Sequence, residues 1–589
     1  MMISCLLKRI TDNMNYRYIK KILMFFLLLT PVFFGMGIVL KYGVNVPFWD
    51  DFDLVPLISD KGGISLRTLF SQHNEHRMFF PRIVFIIIGY LTHTHMNMKA
   101  YMLFSQMLVA VSYFSLCIFI NNIKTKKNKY LMMLLIGFLI YSPVQHENQL
   151  WGFQVGFYMV SVFTVLSIYF MHKSVNMREK DFYFLILSLL CAIVSSFSSI
   201  HGLLVWFAVD FVYLLHYRKK VFKNIRFIIW NIFAVSSWAL YFFNYHKPPG
   251  TPSLLSGFRN PKEFIIYILY VVGHPLFTDR YYIFLFGLLT IIVCLILLLI
   301  FIRYNNKSDF FPMTLIVFGL MVAVSIAVGR VGFGIQQALS SRYTTFTLSI
   351  VIGICLFIFN KRLSFPASKI IITIIILSLS ISSYSFLKNE MIQTNEYNNY
   401  NLTILINYKD STNEDLVRLF PNINDINLVQ EMEQQGMGPF KNLDKSKKHI
   451  INVPIPQDII GVSVNDIFSN GKQEDILVLN CGIYDPFICL PLQESIDKLS
   501  YPILEIKYSN STAGTIQIFF DYGNGWSQNN SIIKPLINSE KSILRVPILN
   551  WNEGTKLVSV RIDPPDGTRF ELESILLYGY SSTHKKFVF

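Results

Sequence analysis

Charged residues are scarce in this chain: Asp, Glu, Lys and Arg make up 15% of its 589 residues, against about 25% in a typical soluble protein. Hydrophobic residues account for 52%, which is more apolar surface than one or two globular cores could bury. The composition therefore excludes an ordinary soluble protein. A nucleic-acid partner is not expected despite the net charge of +15, because most basic clusters lie in short loops between apolar runs.

Cysteine is also scarce, and the seven cysteines show no metal-ligand spacing. Cys481 and Cys489 lie in the polar C-terminal part, where they could form a disulfide in an oxidising compartment. Low-complexity tracts and short repeats are missing as well. No small-residue cleavage site follows the first apolar run, so we predict a retained first span rather than a signal peptide.

Apolar runs of about 18–22 residues, long enough to cross a hydrocarbon core, fill the first two thirds of the chain and stop near Ser385. If the basic clusters between them are all cytoplasmic, an even number of spans separates each cluster from the next. About eleven spans satisfy this condition, with a cytoplasmic N-terminus and an extracytoplasmic C-terminus. The predicted spans are 22–40, 99–120, 130–145, 152–171, 182–198, 200–216, 226–243, 282–302, 310–328, 343–360 and 367–385.

The remainder of the chain has a different pattern. Polar residues at helical spacing predict a helical linker region over 386–465, and period-two alternation predicts an antiparallel β-sandwich over 466–589. The predicted strands are 475–480, 501–509, 514–522, 542–549, 557–563 and 570–578. The fold class is a polytopic α-helical membrane bundle, residues 1–385, followed by these two extracytoplasmic regions.

The loop after the first span is unusually acidic, because Asp50, Asp51 and Asp53 follow one another among aromatic residues. Adjacent carboxylates repel, so a site that holds them together usually has a proton, a cation or a hydroxyl substrate nearby. A helix cap or turn at the end of the span is the alternative. We therefore treat the three aspartates as candidate catalytic residues.

A dense polar stretch follows, with His73, Glu75, His76 and Arg77 as candidate substrate-binding residues. The apolar run over 83–91 is too short to span and predicts an interfacial helix that would hold them near the headgroups. Histidines can donate to a phosphate, and an arginine can bind it bidentately. A metal site with His73, His76 and a carboxylate is the alternative.

Two later outer segments carry further candidates. Amides, a carboxylate and an indole at the mouth of two spans suit sugar recognition, although aromatic-belt residues with polar neighbours would look the same. Outward arginines oppose the positive-inside bias and suit a lipid-linked phosphate. The candidate substrate-binding residues in these segments are Glu147, Gln149, Trp151, Gln154, Arg330, Gln336, Arg342 and Tyr343.

With its first span, acidic first outer loop, interfacial helices and short-loop bundle, the chain resembles the GT-C glycosyltransferases, which use polyprenyl-phosphate-linked sugars. It is most similar to bacterial envelope members that modify O-antigen or other surface polysaccharide. The trailing sandwich resembles the carbohydrate-binding jelly roll that ends mycobacterial arabinosyltransferases. The chain lacks the WWD-type motif of oligosaccharyltransferases, which disfavours protein glycosylation.

The resemblance implies an inverting transfer at the outer face of the bacterial inner membrane. Asp51, or else Asp50, would take the proton from the hydroxyl of an envelope glycan acceptor. Arg330, Arg342 or Arg77 would hold the leaving polyprenyl phosphate. A divalent cation (Mg, Mn or Ca) between the carboxylates stays open, because some members use one. On the sandwich, Trp526 and Trp551 could stack on a glycan or fill the core.

Two other functions stay open from the sequence. A lipid-linked glycan transporter would show interrupted helices and charges at mid-membrane depth, whereas the charges here gather in the outer loops. An O-antigen polymerase or ligase would use outward arginines such as Arg330 and Arg342. The early acidic loop favours the transferase.

Overall fold

A computed structural model describes residues 16–581 except for fifteen short gaps. The gaps are 60–62, 94, 124–127, 177–181, 278, 361–386, 412, 421–425, 442, 444–447, 457–462, 474–475, 537–538, 549–550 and 552–553. The predicted span over 367–385 therefore lies outside the described residues. The chain divides into two compact units, Met1–Val44 with Asp53–Asn395 and Asn45–Phe52 with Glu396–Phe589.

The first unit is a helical bundle. Its helices are α1 (Tyr16–Tyr42), α2 (Phe79–Leu91), α3 (Met98–Asn122), α4 (Lys129–Ile140), α5 (Val155–Asn176), α6 (Tyr183–Ser196), α7 (Leu204–Tyr217), α8 (Ile225–Phe242), α9 (Pro261–Gly273), α10 (Arg280–Tyr304), α11 (Phe310–Arg330) and α12 (Thr344–Asn360). A further helix, α13, covers 387–406 and contains the boundary between the two units at 395/396.

Eight helical segments in the described part are long and apolar enough to cross a membrane. They are Lys21–Tyr42, Met98–Asn122, Gly152–Asn176, Ile200–Lys223, Ile225–Phe242, Arg280–Tyr304, Lys307–Phe333 and Ser341–Asn360. Much of their surface is apolar and faces outward, as on α10, where Leu289, Leu295 and Leu299 are exposed. The first unit is thus built as a helical membrane protein.

Two predicted spans are shorter than expected. The helix in 130–145 stops at Ile140, shortly before Pro143 opens the next turn. The helix in 182–198 has 14 residues and ends in the serine-rich turn at Ser196. Helices of this size are about 20 Å long, less than the roughly 30 Å of a hydrocarbon core.

Contacts between loops show which of them share an end of the bundle. Segments 72–77, 146–154, 199–203 and 330–343, all predicted to lie on one side, contact one another. We call this the loop end.

A second set of loop and helix-end residues forms hydrogen bonds at the other end of the bundle. His216 contacts Asn305 through a hydrogen bond of 2.5 Å, and the amide of Asn360 donates to Asp309 at 2.7 Å. His216, Asp309 and Asn360 begin, end or flank helices whose other termini lie at the loop end, so the two sets of loops occupy opposite ends of the bundle.

The second unit combines short helices with two antiparallel sheets. The helices are α14 (Asn413–Leu419) and α15 (Ile426–Gln434). The hairpin strands β1 (Gln72–His73) and β2 (His76–Arg77) belong to the first unit. The remaining strands are β3 (Lys448–Asn452), β4 (Val464–Asn465), β5 (Ile467–Gln473), β6 (Ile476–Cys481), β7 (Phe487–Asp497), β8 (Leu499–Asn510), β9 (Gly514–Asp521), β10 (Ser531–Leu536), β11 (Ser539–Pro547), β12 (Lys556–Asp563) and β13 (Arg569–Ser581).

The two sheets enclose one hydrophobic core. One sheet has the order β10-β9-β12-β7-β4, and the other has the order β11-β8-β13-β6-β5, with β3 also paired to β13. Alternate residues of both sheets fill the core, among them Ile516, Ile518 and Phe520 of β9 and Leu504, Ile506 and Tyr508 of β8. All six predicted strands are present. Each strand buries one face in the core, and this one-sided burial produces the period-two pattern from which the strands are predicted.

Side chains singled out in the sandwich have different roles. Trp551 is buried in the core and its indole N–H donates to the carbonyl of Thr555 at 3.2 Å. Trp526 is partly exposed. Cys481 and Cys489 are both free, so the disulfide that the sequence allowed is not formed.

Close helix packing in the bundle generates a prediction. A Cβ atom at Gly287 of α10 would overlap the carbonyl oxygen of Leu269 on α9. Gly287→Ala should therefore lower the melting temperature in detergent, because overpacking costs about 1–3 kcal/mol. Gly37→Ala is the matched control, because its Cβ would meet nothing within 4 Å and alanine favours a helix. Equal melting temperatures for the two variants would contradict the α9–α10 packing.

Candidate functional site

A tight hairpin brings the polar stretch after the first span into the bundle. Strands β1 and β2 pair His73 with His76 across a two-residue turn. Asn74 adopts a positive φ of 48° in this turn, a conformation that asparagine tolerates better than most residues. The hairpin places His73 and His76 side by side and leaves Glu75 at its tip.

Arg77 anchors the hairpin. Its guanidinium donates to the carbonyls of Tyr241 and Phe243 at 2.5 Å each and to that of Phe70 at 2.8 Å. The hydroxyl of Tyr241 accepts from the Arg77 backbone and donates to the carbonyl of Glu75, both at 3.1 Å. Arg77 is buried, so its position is that of a structural clamp.

Asp53 and His73 form a carboxylate–histidine pair. The Oδ2 atom of Asp53 lies 2.7 Å from Nδ1 of His73, and Asp53 is exposed while His73 is buried. The side-chain amide of Asn74 lies 3.2 Å from the other ring nitrogen, Nε2. A proton held on Nδ1 by the carboxylate leaves Nε2 as a proton acceptor.

Glu75 occupies the centre of a second charged group. Its carboxylate forms an ion pair with Arg330, and its Oε1 lies 3.9 Å from Nε2 of His76. Burial opposes ionisation of Glu75, but the charges of His76 and Arg330 outweigh burial and lower the pKa of the carboxyl below its ordinary value. The group therefore holds a charged carboxylate beside a charged guanidinium.

The turn between α6 and α7 contributes to the same group. Nδ1 of His76 lies 3.3 Å from the Ser199 hydroxyl and accepts the backbone N–H of Ile200 at 3.4 Å. The ring of His201 lies 6.2 Å from that of His76, and its buried Nδ1 has no hydrogen-bond partner in the described part of the chain. The ring of Phe346 lies 5.1 Å from that of His201.

A separate carboxylate–arginine pair lies at the same end of the bundle. Nε of Arg342 is 3.3 Å from Oε2 of Glu147 and donates to the Ser340 hydroxyl at 3.1 Å. The Ser340 hydroxyl in turn donates to Oε2 of Glu147 at 2.8 Å. The guanidinium carbon of Arg342 lies 5.8 Å from the ring centre of Trp151.

Asp50 and Asp51 belong to the second unit. Asp51 is fully buried, its Oδ2 accepts the backbone N–H of Phe48 at 2.9 Å, and its own N–H donates to the Phe48 carbonyl at 3.1 Å. This reciprocal pair is the geometry of a helix cap. Asp50 is partly exposed.

The other sequence candidates lie at varied depths. Gln149 is buried, and its amide lies 3.3 Å from the carbonyl of Tyr141. Gln154 and Tyr343 are also buried, and the Tyr343 hydroxyl accepts from Gln337 at 3.3 Å. Gln336 is exposed. The two arginine–carboxylate groups and the Asp53–His73 pair thus contain most of the accessible charge among the candidates.

His201, Ser340 and Tyr241 are not among the sequence candidates, yet they contact residues that are. His201 lies in a tight turn between two predicted spans, where a packing role is expected, and its ring lies beside that of Phe346. The one sequence feature that indicates a functional role for His201 is its position at the loop end, where polar residues of other loops converge. Tyr241 ends an apolar run, and nothing in the sequence indicates that its hydroxyl bridges the hairpin.

The donor set does not favour a metal centre. Among the described residues no group of three His, Cys, Asp or Glu side chains is placed to hold an ion. Of the proposed ligands, His73 is directed at Asp53 and Glu75 at Arg330. Among the described residues, the set of His73, His76 and a carboxylate that the sequence left as an alternative is therefore not assembled as a three-ligand metal site.

The lowered pKa of Glu75 generates a pH prediction. The pKa of Glu75 is lower in the folded protein than in the unfolded chain, so the unfolded chain binds the proton first as the pH falls. The ion pair therefore stabilises the folded protein fully above the unfolded pKa, and this stabilisation is lost as the pH falls through the folded pKa. Glu75→Gln should lower the melting temperature in detergent near neutral pH. We expect this difference from wild type to shrink on acidification from about pH 6 to pH 3.

The control for this experiment is Glu263→Gln, an exposed carboxylate in the first turn of α9. Its melting temperature near neutral pH should differ from that of wild type by less than the melting temperature of Glu75→Gln does. A Glu75→Gln difference that stays constant with pH would contradict the charged pair.

Comparison with known proteins gives only distant similarity. No protein-family model and no curated protein matches the chain. Among solved structures, a CBM29-2 variant complexed with cellulohexaose is 8% identical with a TM-score of 0.18, covering 23% of this chain and 94% of that chain. A variant complexed with mannohexaose is 9% identical with the same TM-score and coverages. At this TM-score the similarity assigns no function to the chain.

Proposed function

We propose that the chain is an inverting glycosyltransferase of the GT-C type, which moves a sugar from a polyprenyl-phosphate donor to an envelope glycan acceptor. The observation that supports this most directly is the pairing of Asp53 with His73 on the hairpin that also carries Glu75, the partner of Arg330. A carboxylate-oriented histidine can accept a proton, and an arginine can hold a phosphate. Transfer from a phosphate-linked sugar requires both.

The donor phosphate would bind Arg330. The guanidinium is partly exposed and already paired with Glu75, so the phosphate would share or replace that carboxylate. Guanidinium groups match phosphate oxygens bidentately. The same group would stabilise the charge that develops on the leaving phosphate.

Of the three aspartates, we assign the catalytic role to Asp53. Asp51 is buried and caps Phe48, whereas Asp53 contacts a histidine. Asp53 would keep the Nδ1 proton in place and stabilise the imidazolium that forms, as a carboxylate does in a triad. His73 Nε2 would accept the proton from an acceptor hydroxyl that displaces the Asn74 amide from this nitrogen.

The transfer then balances in one displacement. The acceptor oxygen forms a bond to the anomeric carbon as its proton passes to Nε2 of His73. The bond between the anomeric carbon and the phosphate oxygen breaks, and its electron pair leaves with the polyprenyl phosphate held by Arg330. Attack opposite the leaving group inverts the configuration.

The Glu147–Arg342 pair would orient a sugar. Trp151 offers an indole face to the apolar side of a pyranose ring, while Glu147 and Arg342 offer an acceptor and donors to hydroxyls. Their mutual hydrogen bonds through Ser340 hold both side chains in place before substrate arrives. Preorganised polar groups lose less entropy on binding.

The proposal includes a location. Eleven spans with a cytoplasmic N-terminus would place the loop end and the C-terminal β domain outside the inner membrane of a bacterium, where polyprenyl-linked sugars are presented. The segregation of the loops into two sets supports this arrangement.

Purified protein tested against a panel of synthetic polyprenyl-phosphate sugars should transfer at least one sugar to a glycan acceptor. His73→Gln should lower kcat by about 10²–10⁴-fold through loss of the base. Arg330→Gln should lower kcat/KM by about 10²–10³-fold. Asp51→Asn should reduce thermal stability while the folded fraction keeps most of its activity.

Matched controls are His449→Gln and Arg67→Gln, because both side chains are exposed and lie outside the proposed machinery. Both controls should transfer at the wild-type rate. Full activity in a folded His73→Gln protein, or loss of activity in Asp51→Asn without loss of fold, would refute the assignment. Binding of lipid-linked glycan without transfer from any donor would favour transport instead.

A further inference from the structure

Two loops are joined to each other at the end of the bundle opposite the loop end. Residues 218–224 connect α7 to α8, and residues 305–309 connect α10 to α11. Nδ1 of His216 lies 2.5 Å from Oδ1 of Asn305, and the Asn305 amide donates to the His216 carbonyl at 2.8 Å. This reciprocal pair makes the two loops parts of one surface.

The first of these loops forms a 3-10 helix of six residues, Arg218–Lys223, although such helices rarely exceed three or four residues. It begins at Arg218, whose backbone has a positive φ of 51°, a strained conformation for a residue with a long side chain. The Arg218 side chain donates to the carbonyl of Ile302 in α10 at 3.5 Å. The loop is therefore fixed against α10 in a conformation that local preference does not favour.

The 3-10 helix turns its lysines outward. Residues three apart share a face of such a helix, and Val221 is fully buried against the bundle. The two other faces carry Lys219 with Phe222 and Lys220 with Lys223, and all four of these side chains are exposed. Phe222 is 68% exposed. The helix thus presents three lysines around a phenyl ring that no other part of the described chain covers.

The end of α10 and the loop after it add two more cations and a second ring. Arg303 and Lys307 are exposed, and Tyr304 is 61% exposed. The guanidinium carbon of Arg303 lies 5.8 Å from the ring centre of Tyr304. We call the exposed cations of both segments the basic patch. They are Arg218, Lys219, Lys220, Lys223, Arg303 and Lys307.

No carboxylate balances the basic patch within the part of the chain that the structure describes, because none of its cations forms an ion pair there. The carboxylate of Asp309 is buried and accepts from the amide of Asn360 at 2.7 Å. The loop end differs, since Arg330 and Arg342 each pair with a carboxylate. Like charges that are held close together repel one another, so the patch favours an anionic partner.

The position of the basic patch indicates which kind of anion binds it. Its residues lie at the ends of four segments that are long and apolar enough to cross a membrane: Ile200–Lys223, Ile225–Phe242, Arg280–Tyr304 and Lys307–Phe333. Ile225 and Ile302, beside the cations, are exposed and apolar. Apolar side chains followed at once by cations and aromatic rings are typical of the membrane interface. A nucleic acid or an acidic protein would contact the cations but leave this apolar border uncovered.

We propose that the basic patch binds the phosphate headgroup of an anionic phospholipid. Lysine and arginine donate charge-assisted hydrogen bonds to phosphate oxygens, and Phe222 and Tyr304 would lie beside the acyl chains. Basic clusters directly beyond the ends of transmembrane helices are a general mode of binding anionic lipids. The proposed topology would place this lipid in the cytoplasmic leaflet. Its binding is independent of the proposed transfer, which takes place at the other end of the bundle.

The test uses the full-length protein in detergent and native mass spectrometry, which counts the lipid molecules that stay bound during a titration. Dioleoyl phosphatidylglycerol should bind more tightly than dioleoyl phosphatidylcholine, which has the same acyl chains but no net charge. The triple variant Lys219→Gln/Lys220→Gln/Arg303→Gln removes cations from both segments. It should weaken phosphatidylglycerol binding by about 10–100-fold.

The matched control is Lys247→Gln/Arg259→Gln/Lys262→Gln, which also removes two lysines and one arginine from exposed positions, here between α8 and α9 and in the first turn of α9. It should bind phosphatidylglycerol as wild type does. Inorganic phosphate and a hexaglutamate peptide, which carry negative charge without acyl chains, should displace the lipid only at far higher concentration.

Thermal melting checks that each variant is folded, and Lys220→Gln/Lys223→Gln replaces the triple variant if that one is not. The proposal fails if the folded patch variant binds phosphatidylglycerol like wild type, or if phosphatidylcholine binds equally well. Displacement by phosphate at the concentration of the lipid would assign the patch to a free anion instead, and displacement by hexaglutamate would assign it to an acidic protein. Each of these results leaves the proposed transferase activity untouched, because no sugar donor enters the measurement.

Discussion

The loop end of the bundle depends on the buried guanidinium of Arg77. A two-residue-strand hairpin has almost no stability of its own, and its backbone groups must find partners where water is scarce. Arg77 donates to three carbonyls at the C-terminal ends of helices, and Tyr241 bridges both sides of the hairpin turn. The positions of His73, Glu75 and His76 therefore depend on one buried side chain.

The charged side chains at the loop end form pairs of opposite charge and do not make a patch of one sign. Arg330 and Arg342 each have a carboxylate neighbour, so neither is a bare cation beside the lipid. Burying one member of such a pair alone would cost far more than burying both. Under the proposed function, a donor phosphate at Arg330 would exchange one anion for another, so its binding would be reversible and would depend on the geometry of the incoming group.

Much of the architecture was predictable because it is periodic. Apolar runs and period-two strands report burial residue by residue, so ten of the eleven predicted spans and all six predicted strands coincide with observed helices and strands. The eleventh predicted span, 367–385, lies outside the described residues. The site was not predictable in the same way, because its pairs join distant positions: Glu75 and Arg330 are 255 residues apart. Likewise, the resemblance implies Asp51, or else Asp50, as the proton acceptor, whereas in the structure Asp51 caps a turn and Asp53 contacts His73.

The division of the chain has a consequence for how the protein is made. Residues 45–52 belong to the second unit: Trp49, at a positive φ of 50°, donates to the Arg418 carbonyl, and the ring of Phe52 packs on that of Phe420. This short segment leaves the ribosome well over 300 residues before those partners. At about 5–20 residues per second it waits roughly 20–70 s, so the second unit cannot be completed until a segment made early meets one made much later.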